Sequence, residues 1–256
     1  MTIVCDLDGV VYVDGGAVPG AGAALSELQA QGKRLLFVTN NATKTALDVV
    51  ETVHALTGFG VEEGDVVTSA LVTAMALDGV VERVLIVGGP ALTETFRACG
   101  FVVVSDWRQA EAVVCGMDFD LTYDKLAAAT LAVRAGALFY ATNADATYPS
   151  REGLKPGGGA ILAALETATD TMAVVCGKPN DPAGDAVERL AGAGGVLVVG
   201  DRFDTDIALG KARGWFTALV LTGVAPSPDA PRGLEPDLVL DSLADLPAAL
   251  AEAQTR

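Results

Sequence analysis

The sequence predicts an α/β fold: a Rossmann-like, doubly wound parallel sheet with helices on both faces, interrupted by an inserted second α/β domain. Three observations lead there. Short β-branched or apolar runs alternate with Ala- and Leu-rich helical stretches from one end of the chain to the other. Several of those runs are followed directly by acidic or small polar residues, as ligand-binding loops follow strands in such sheets. And Thr39 and Lys178, each just beyond an apolar run, lie far more than the roughly 30 residues of one strand-helix crossover apart, so something is inserted between them.

Taken in order, the strand-like runs are Ile3 to Cys5, Leu35 to Thr39, Val84 to Val87, Ala112 to Cys115, Leu138 to Ala141, Ala173 to Cys176, Val196 to Val199 and Thr217 to Leu221. Each is a near-continuous apolar stretch, the mark of a strand covered on both faces. Between them the chain predicts helices over Ala21 to Gln31, Thr43 to Leu56, Tyr123 to Ala135, Gly159 to Thr167, Pro182 to Ala191 and Asp206 to Ala212. Right-handed crossovers then place the polar loops at the carboxyl ends of the strands. The insert, from Val84 to about Ala173, has its own strand-helix alternation and is long enough for a separate domain. Ala225 to Pro236, rich in Pro and acids, reads as a surface loop before a last strand, Leu238 to Leu240, and a C-terminal helix.

Composition excludes several functions. Of 256 residues, 51% are hydrophobic, enough for one large core or two modest ones. Lys and Arg number 17 against 33 Asp and Glu, a net charge of -16 that repels nucleic acid and anionic membranes. An anionic ligand would need positive charge concentrated in one place, from a metal ion or a few lysines. Cys5, Cys99, Cys115 and Cys176 are widely spaced with no C-x-x-C pair and read as buried, reduced thiols. No window approaches the roughly 20 apolar residues of a membrane span, and no signal peptide precedes the first strand, so a cytoplasmic protein is expected. The single histidine, His54, lies in a helical stretch without a partner, which argues against histidine-based chemistry.

Four places carry chemistry. The first strand runs into Asp6-Leu7-Asp8-Gly9-Val10, two carboxylates one residue apart with a glycine for a sharp turn. Such hard oxygen ligands suit Mg2+, although a calcium loop or a solvated turn has the same pattern. The second strand ends in Thr39-Asn40-Asn41, whose hydroxyl and backbone N–H groups suit phosphate oxygens or, equally, the cap of a helix near Thr43. Lys178 follows the run ending at Cys176 and precedes a proline that stops the strand. Finally Asp201, Asp204 and Asp206 crowd behind the apolar run ending at Val199. Of these, Asp206 could be a helix cap and Asp204 is expected to face solvent.

In order, Asp6-Leu7-Asp8-Gly9-Val10, Thr39-Asn40-Asn41, Gly177-Lys178-Pro179 and Gly200-Asp201 through Asp206 resemble the four motifs of the haloacid dehalogenase superfamily of phosphatases. Ala141-Thr142-Asn143-Ala144-Asp145 and Glu152 to Gly157 are similar to its subfamily of NagD-type, 4-nitrophenyl and phosphoglycolate phosphatases. The resemblance spans roughly Ile3 to Val224. It implies a core of residues 1–78 and 178–256, and a substrate-selecting cap of residues 79–177. It also implies that Asp6 becomes an aspartyl phosphate and that Asp8 serves as general acid and base. Mg2+ would be bound by Asp6, Asp201 and the backbone carbonyl of Asp8, with Asp206 holding a water on it. Thr39, Asn40, Asn41 and Lys178 would hold the phosphoryl group, and two copies could pair through their caps.

By the same resemblance Gly116 to Tyr123 is the specificity loop, with Asn143, Asp145 and Arg151 at another strand end. Asp120 stands where the mammalian relatives have a substrate-contacting histidine. An acid there disfavours carboxylate-bearing esters and suits hydroxyl groups, so the expected partner is a small phosphorylated metabolite: glycerol phosphate, a sugar phosphate or a nucleoside monophosphate. A dehalogenase would lack Asp8. A phosphoacceptor switch domain is about half this length, and a silent phosphate-binding protein would not need every catalytic position filled.

Overall fold

The computed structural model describes residues 1–150, 152–224 and 233–254; Arg151 and most of the expected Ala225 to Pro236 loop lie outside them. The chain divides into two compact units, one of Met1–Thr39, Ala46–Val67 and Val187–Arg256, the other of Asn40–Thr45 and Thr68–Ala186.

The first unit is built on a six-stranded sheet ordered Leu238–Leu240, Phe216–Val220, Val196–Gly200, Thr2–Cys5, Arg34–Thr39, Val66–Thr68. The chain starts in the middle, winds outward through Arg34–Thr39 to Val66–Thr68, and returns on the other side of Thr2–Cys5. The ladders among the first five strands of that order are all parallel, with Thr2 opposite Val196 and Arg34. Order therefore reverses between Thr2–Cys5 and Val196–Gly200, a topological switch point. Helices Ala21–Ala30, Ala46–Thr57 and Leu246–Gln254 flank the sheet, and the core gathers Ile3, Leu25, Phe37, Val53, Leu197 and Leu246 among others.

The last strand is locked on by one acid. Asp237 accepts from the Thr217 N–H and hydroxyl, both at 2.8 Å, and from Lys211 Nζ at 2.8 Å. Burial alone would raise its carboxyl, but the hydrogen bonds from Lys211 and Thr217 hold it below the usual range. A depressed native value means stability that is complete above the unfolded value of about 3.9 and lost as pH falls through the native one. Asp237 is exposed, so solvent screens these contacts; Asp237→Ala should therefore cost about 1 kcal/mol at neutral pH, and urea titrations at falling pH should show the difference closing once Asp237 protonates.

The second unit has its own five-stranded parallel sheet, ordered Val174–Val175, Leu138–Ala141, Ala112–Cys115, Arg83–Val87, Val102–Val103. Helices Tyr123–Arg134 and Gly158–Thr169 cover one cluster, around Val113, Phe139 and Leu165. Ser69–Leu77 and Pro90–Ala98 cover the other, around Leu77, Leu92 and Phe96. A hairpin, Thr147–Ser150 with Gly153–Pro156, was not expected.

Two expectations need correction. Cys5, Cys115 and Cys176 are buried and free, and burial pushes the Cys115 thiol up to about 12 and Cys176 to about 11. Cys99, however, is exposed, because it ends the amphipathic helix Pro90–Ala98 on its wet side. The helix expected from Asp206 begins at Ala208, since Phe203–Ile207 winds as a wider π-helical turn. His54 is exposed on its helix. Among the described residues no helix is long and apolar enough to cross a membrane.

Candidate active site

The ladder of strand Thr2–Cys5 continues one residue further, the Asp6 N–H donating to Val199 O at 2.9 Å. Leu7 points into the core and its carbonyl accepts from the Val11 N–H at 2.9 Å, closing a turn in which Gly9 takes φ 89. A side chain would be strained there. Asp6 is 8% exposed, whereas Asp8 is open to solvent. Thr222 Oγ donates to Gly9 O at 2.6 Å and ties the turn to the loop after strand Phe216–Val220.

Strand Val196–Gly200 runs parallel beside it, with Val199 opposite Cys5, so Asp201 emerges at the same end. The π-helical turn then carries Asp206 back over the strand. Asp201 and Asp206 are 2% and 1% exposed, and one carboxylate oxygen from each of Asp6, Asp201 and Asp206 lies within 4.8 Å of the others. Asp201 Oδ2 accepts from the Val224 N–H at 2.7 Å, and Asp206 Oδ2 from the Arg202 N–H at 3.3 Å. Glycines make room for both acids: a Cβ at Gly9 or Gly223 would collide with the Asp201 carboxylate, and one at Gly200 with Asp206. Asp204, as expected, faces solvent, paired with Arg202 at 2.9 Å. Tyr12 lies close by, its hydroxyl kept protonated first by burial and then by Asp8 and Asp6.

Three buried carboxylates this close repel one another strongly unless a cation shares their charge. The set is all hard oxygen with no His or Cys, which fits Mg2+.

Thr39, buried, ends strand Arg34–Thr39 in the first unit. The next residue opens a polar cluster in the second. Asn40 O accepts from Ser69 Oγ at 2.6 Å and from Asn143 Nδ2 at 2.8 Å. Asn40 Nδ2 donates to Lys178 O at 3.0 Å, with the Asp145 carboxylate at 3.5 Å. Asn143 Oδ1 accepts the Asp145 N–H at 3.2 Å, and Lys178 itself is 5% exposed. Gly177 lets the chain pass, since a Cβ there would press on Thr142 O and Asn40 Oδ1. Asn41 caps locally, its Oδ1 accepting from the Thr43 N–H at 2.9 Å and hydroxyl at 2.7 Å.

So the first unit brings together Asp6, Asp201 and Asp206, and the second brings together Asn40, Asn143 and Lys178. Asp120 stands on a different loop, exposed, bonded through its backbone to Asp118 and Lys125. Sequence reasoning missed Ser69 and Lys125, and took Asp118 only as part of the Gly116 to Tyr123 loop. Ser69 opens a helix capped by Thr68, a Thr-Ser pair that carried a signal; Asp118 and Lys125 carried none beyond ordinary surface charge.

Comparison with known proteins places the chain in a family. Residues 3–102 match the profile of the haloacid dehalogenase-like hydrolases, and residues 175–246 a second, HAD-hydrolase-like profile. A D-glycerol 3-phosphate phosphatase from Mycobacterium tuberculosis is 41% identical over 89% of this chain, which spans 65% of that relative's length. An acid sugar phosphatase from Staphylococcus aureus is 36% identical, with 97% of this chain and 96% of the relative covered. Among solved structures, a p-nitrophenyl phosphatase from Archaeoglobus fulgidus superposes with a TM-score of 0.90 at 31% identity, covering 97% and 98% of the two chains. A glycerol phosphate phosphatase from Mycobacterium tuberculosis in complex with magnesium gives 0.87 at 40% identity, covering 96% of this chain and 75% of the other.

Proposed function

Since this chain belongs to the haloacid dehalogenase-like hydrolase family, we propose that it hydrolyses small phosphate monoesters with Mg2+, carrying the phosphoryl group covalently on Asp6. The observation that carries this reading is the convergence of buried Asp6, Asp201 and Asp206 where the order of the parallel sheet reverses. Asp6, Asp201 and the backbone carbonyl of Asp8 would hold the ion, with Asp206 beside them. Bound there, Mg2+ offsets the carboxylates and draws negative charge from the phosphoryl oxygens.

An Asp6 oxygen attacks phosphorus as the ester P–O bond breaks, and Asp8 gives its proton to the departing alkoxide, which leaves as the alcohol. Asp8, now ionised, takes a proton from water as the water oxygen attacks the phosphorus. The bond to Asp6 breaks, orthophosphate leaves, and both acids return to their starting forms. Exposure of Asp8 suits a group that must meet alcohol and water in turn, while burial of Asp6 suits a nucleophile kept from bulk solvent. Thr39, Asn40, Asn41 and Lys178 would hold the phosphoryl oxygens, Lys178 adding the positive charge that an acidic protein needs for an anionic substrate.

In this reading residues 1–78 and 178–256 do the chemistry, while residues 79–177 select the alcohol through Asp120 and Asn143. Glycerol 3-phosphate, sugar phosphates and nucleoside monophosphates are the proposed substrates, with 4-nitrophenyl phosphate as an artificial one. The named activities of the relatives support the first two. Phosphate release from a panel of these esters and phosphoglycolate, with and without Mg2+, tests it. The expected result is Mg2+-dependent turnover in which a hydroxyl-rich ester exceeds phosphoglycolate by about tenfold or more in kcat/KM, what one like-charge contact is worth. No release from any ester by folded protein would overturn the activity; a single phosphoryl group retained without turnover would point to a phosphoacceptor switch.

A further inference from the structure

The loop after the central strand Ala112–Cys115 of the second unit sits where parallel sheets present ligand-binding loops, and it is pinned from within. Asp118, 5% exposed, turns its carboxylate inward. Its Oδ1 accepts the Asp120 N–H at 2.9 Å, making a tight Asx turn, and its Oδ2 accepts from Lys125 Nζ at 2.8 Å. Lys125 Nζ also donates to Asp120 O at 3.1 Å, so both backbone groups of Asp120 are held by one ion pair whose acid is buried and whose lysine is partly exposed. Behind the loop, Thr122 Oγ accepts the Lys125 N–H at 3.3 Å and starts helix Tyr123–Arg134, which fixes the base of the lysine. Ahead of it, Met117 and Leu121 pack on the core of the unit. The outward side chains are Phe119, 67% exposed with its ring 6.2 Å from Tyr148, and Asp120.

A surface lysine bridging a nearby acid and a backbone carbonyl is ordinary. This one is not at the surface on both sides, because the acid it meets is buried and receives a backbone donor as well. Burying that carboxylate costs stability that a solvated loop would not require, and what it secures is the orientation of the two exposed side chains.

We propose that Asp118 and Lys125 are positioning residues that set substrate selectivity by holding Asp120 toward the alcohol portion of the ester. This rests on the reading that residues 79–177 select the substrate. With the pair intact, Asp120 arrives preorganised, and a polyol phosphate finds its hydrogen-bond acceptor without ordering a loop first. With the pair broken, that ordering is charged to every binding event, while an ester with no hydroxyl to offer is unaffected.

The test compares Lys125→Met, Asp118→Asn and Lys125→Arg with wild type and Asp120→Ala, on 4-nitrophenyl phosphate and on whichever polyol phosphate the panel ranks first. Lys125→Met and Asp118→Asn should raise KM for the polyol ester about tenfold, the scale of one hydrogen bond to a charged group. Their kcat, and both constants for 4-nitrophenyl phosphate, should stay within about twofold, and Lys125→Arg should restore most of the loss. Asp118→Asn keeps the side-chain volume and the Asp120 N–H acceptor, so it remains folded if Lys125→Met does not. Equal losses on both esters, or unchanged KM in both variants, overturn the positioning role. If Asp120→Ala shifts the ranking while the pair variants do not, that role alone fails; if Asp120→Ala also changes nothing, the selecting role of the loop fails with it.

Discussion

Asp6→Asn should lose turnover of every ester by at least about 10^4-fold, the order of loss when a covalent nucleophile is removed. It should nevertheless melt, without metal, no lower than wild type. The two halves of that result come from the same geometry. A carboxamide has the shape of the carboxylate, so the buried niche at the end of strand Thr2–Cys5 stays filled, but its oxygen is not a nucleophile and cannot carry a phosphoryl group. At the same time one of three buried negative charges within 4.8 Å is gone, which relieves repulsion in the metal-free protein. Single-turnover phosphate release and scanning calorimetry in chelator read both quantities. Activity retained within tenfold would place the nucleophile elsewhere, and a large fall in melting temperature would mean that Asp6 is held by contacts stronger than its charge repulsion.

Asp201→Asn should separate metal binding from nucleophilicity. An ion bound only by the folded state at about 100 times its Kd adds about 2.7 kcal/mol. For a chain of this size that is a rise of about 5–10 °C in Tm. Wild type should show that rise with Mg2+, and Asp201→Asn should show less than about 2 °C with kcat/KM lower by at least about 100-fold. The variant keeps Asp6, so any residual reaction still passes through the same residue. An undiminished Mg2+ shift in Asp201→Asn would place the ion away from the three carboxylates.

How much of this was legible depends on whether the signal was local. Ala112–Cys115, Leu138–Ala141 and Leu238–Leu240 read to the residue because apolar runs stop abruptly at glycine, threonine or acids. Asp6 and Asp201 read because a carboxylate directly behind an apolar strand has few other uses in a parallel sheet. Among the elements that were missed, Pro90–Ala98 is a short amphipathic helix of nine residues, and the others lack a clear period. Ser69–Leu77 is buried nearly all round and so shows no amphipathic stripe. Val66–Thr68 is only three residues long, and the hairpin Thr147–Ser150 with Gly153–Pro156 carries a proline and no clean alternation. The Asp118–Lys125 pair was out of reach for another reason: its acid looks like one more charge in an acidic chain until the backbone turns it inward.

The winding of the first unit also sets a timetable for biosynthesis. Of the two neighbours that strand Thr2–Cys5 pairs with in register, Arg34–Thr39 follows it closely in the chain, whereas Val196–Gly200 is made long after. At about 5–20 residues per second, the edge of Thr2–Cys5 that faces Val196–Gly200 waits on the order of 10–40 s for that strand. The second unit, nearly all of it from Thr68–Ala186, is finished well before then and can fold ahead of the sheet that brackets it. A nascent chain therefore holds Asp6 without Asp201 over that interval, so the trio of acids assembles only once Asp206 has been made. Chaperone demand should concentrate on the first forty residues, and truncations that stop short of Val196 should yield aggregates, not partly active enzyme.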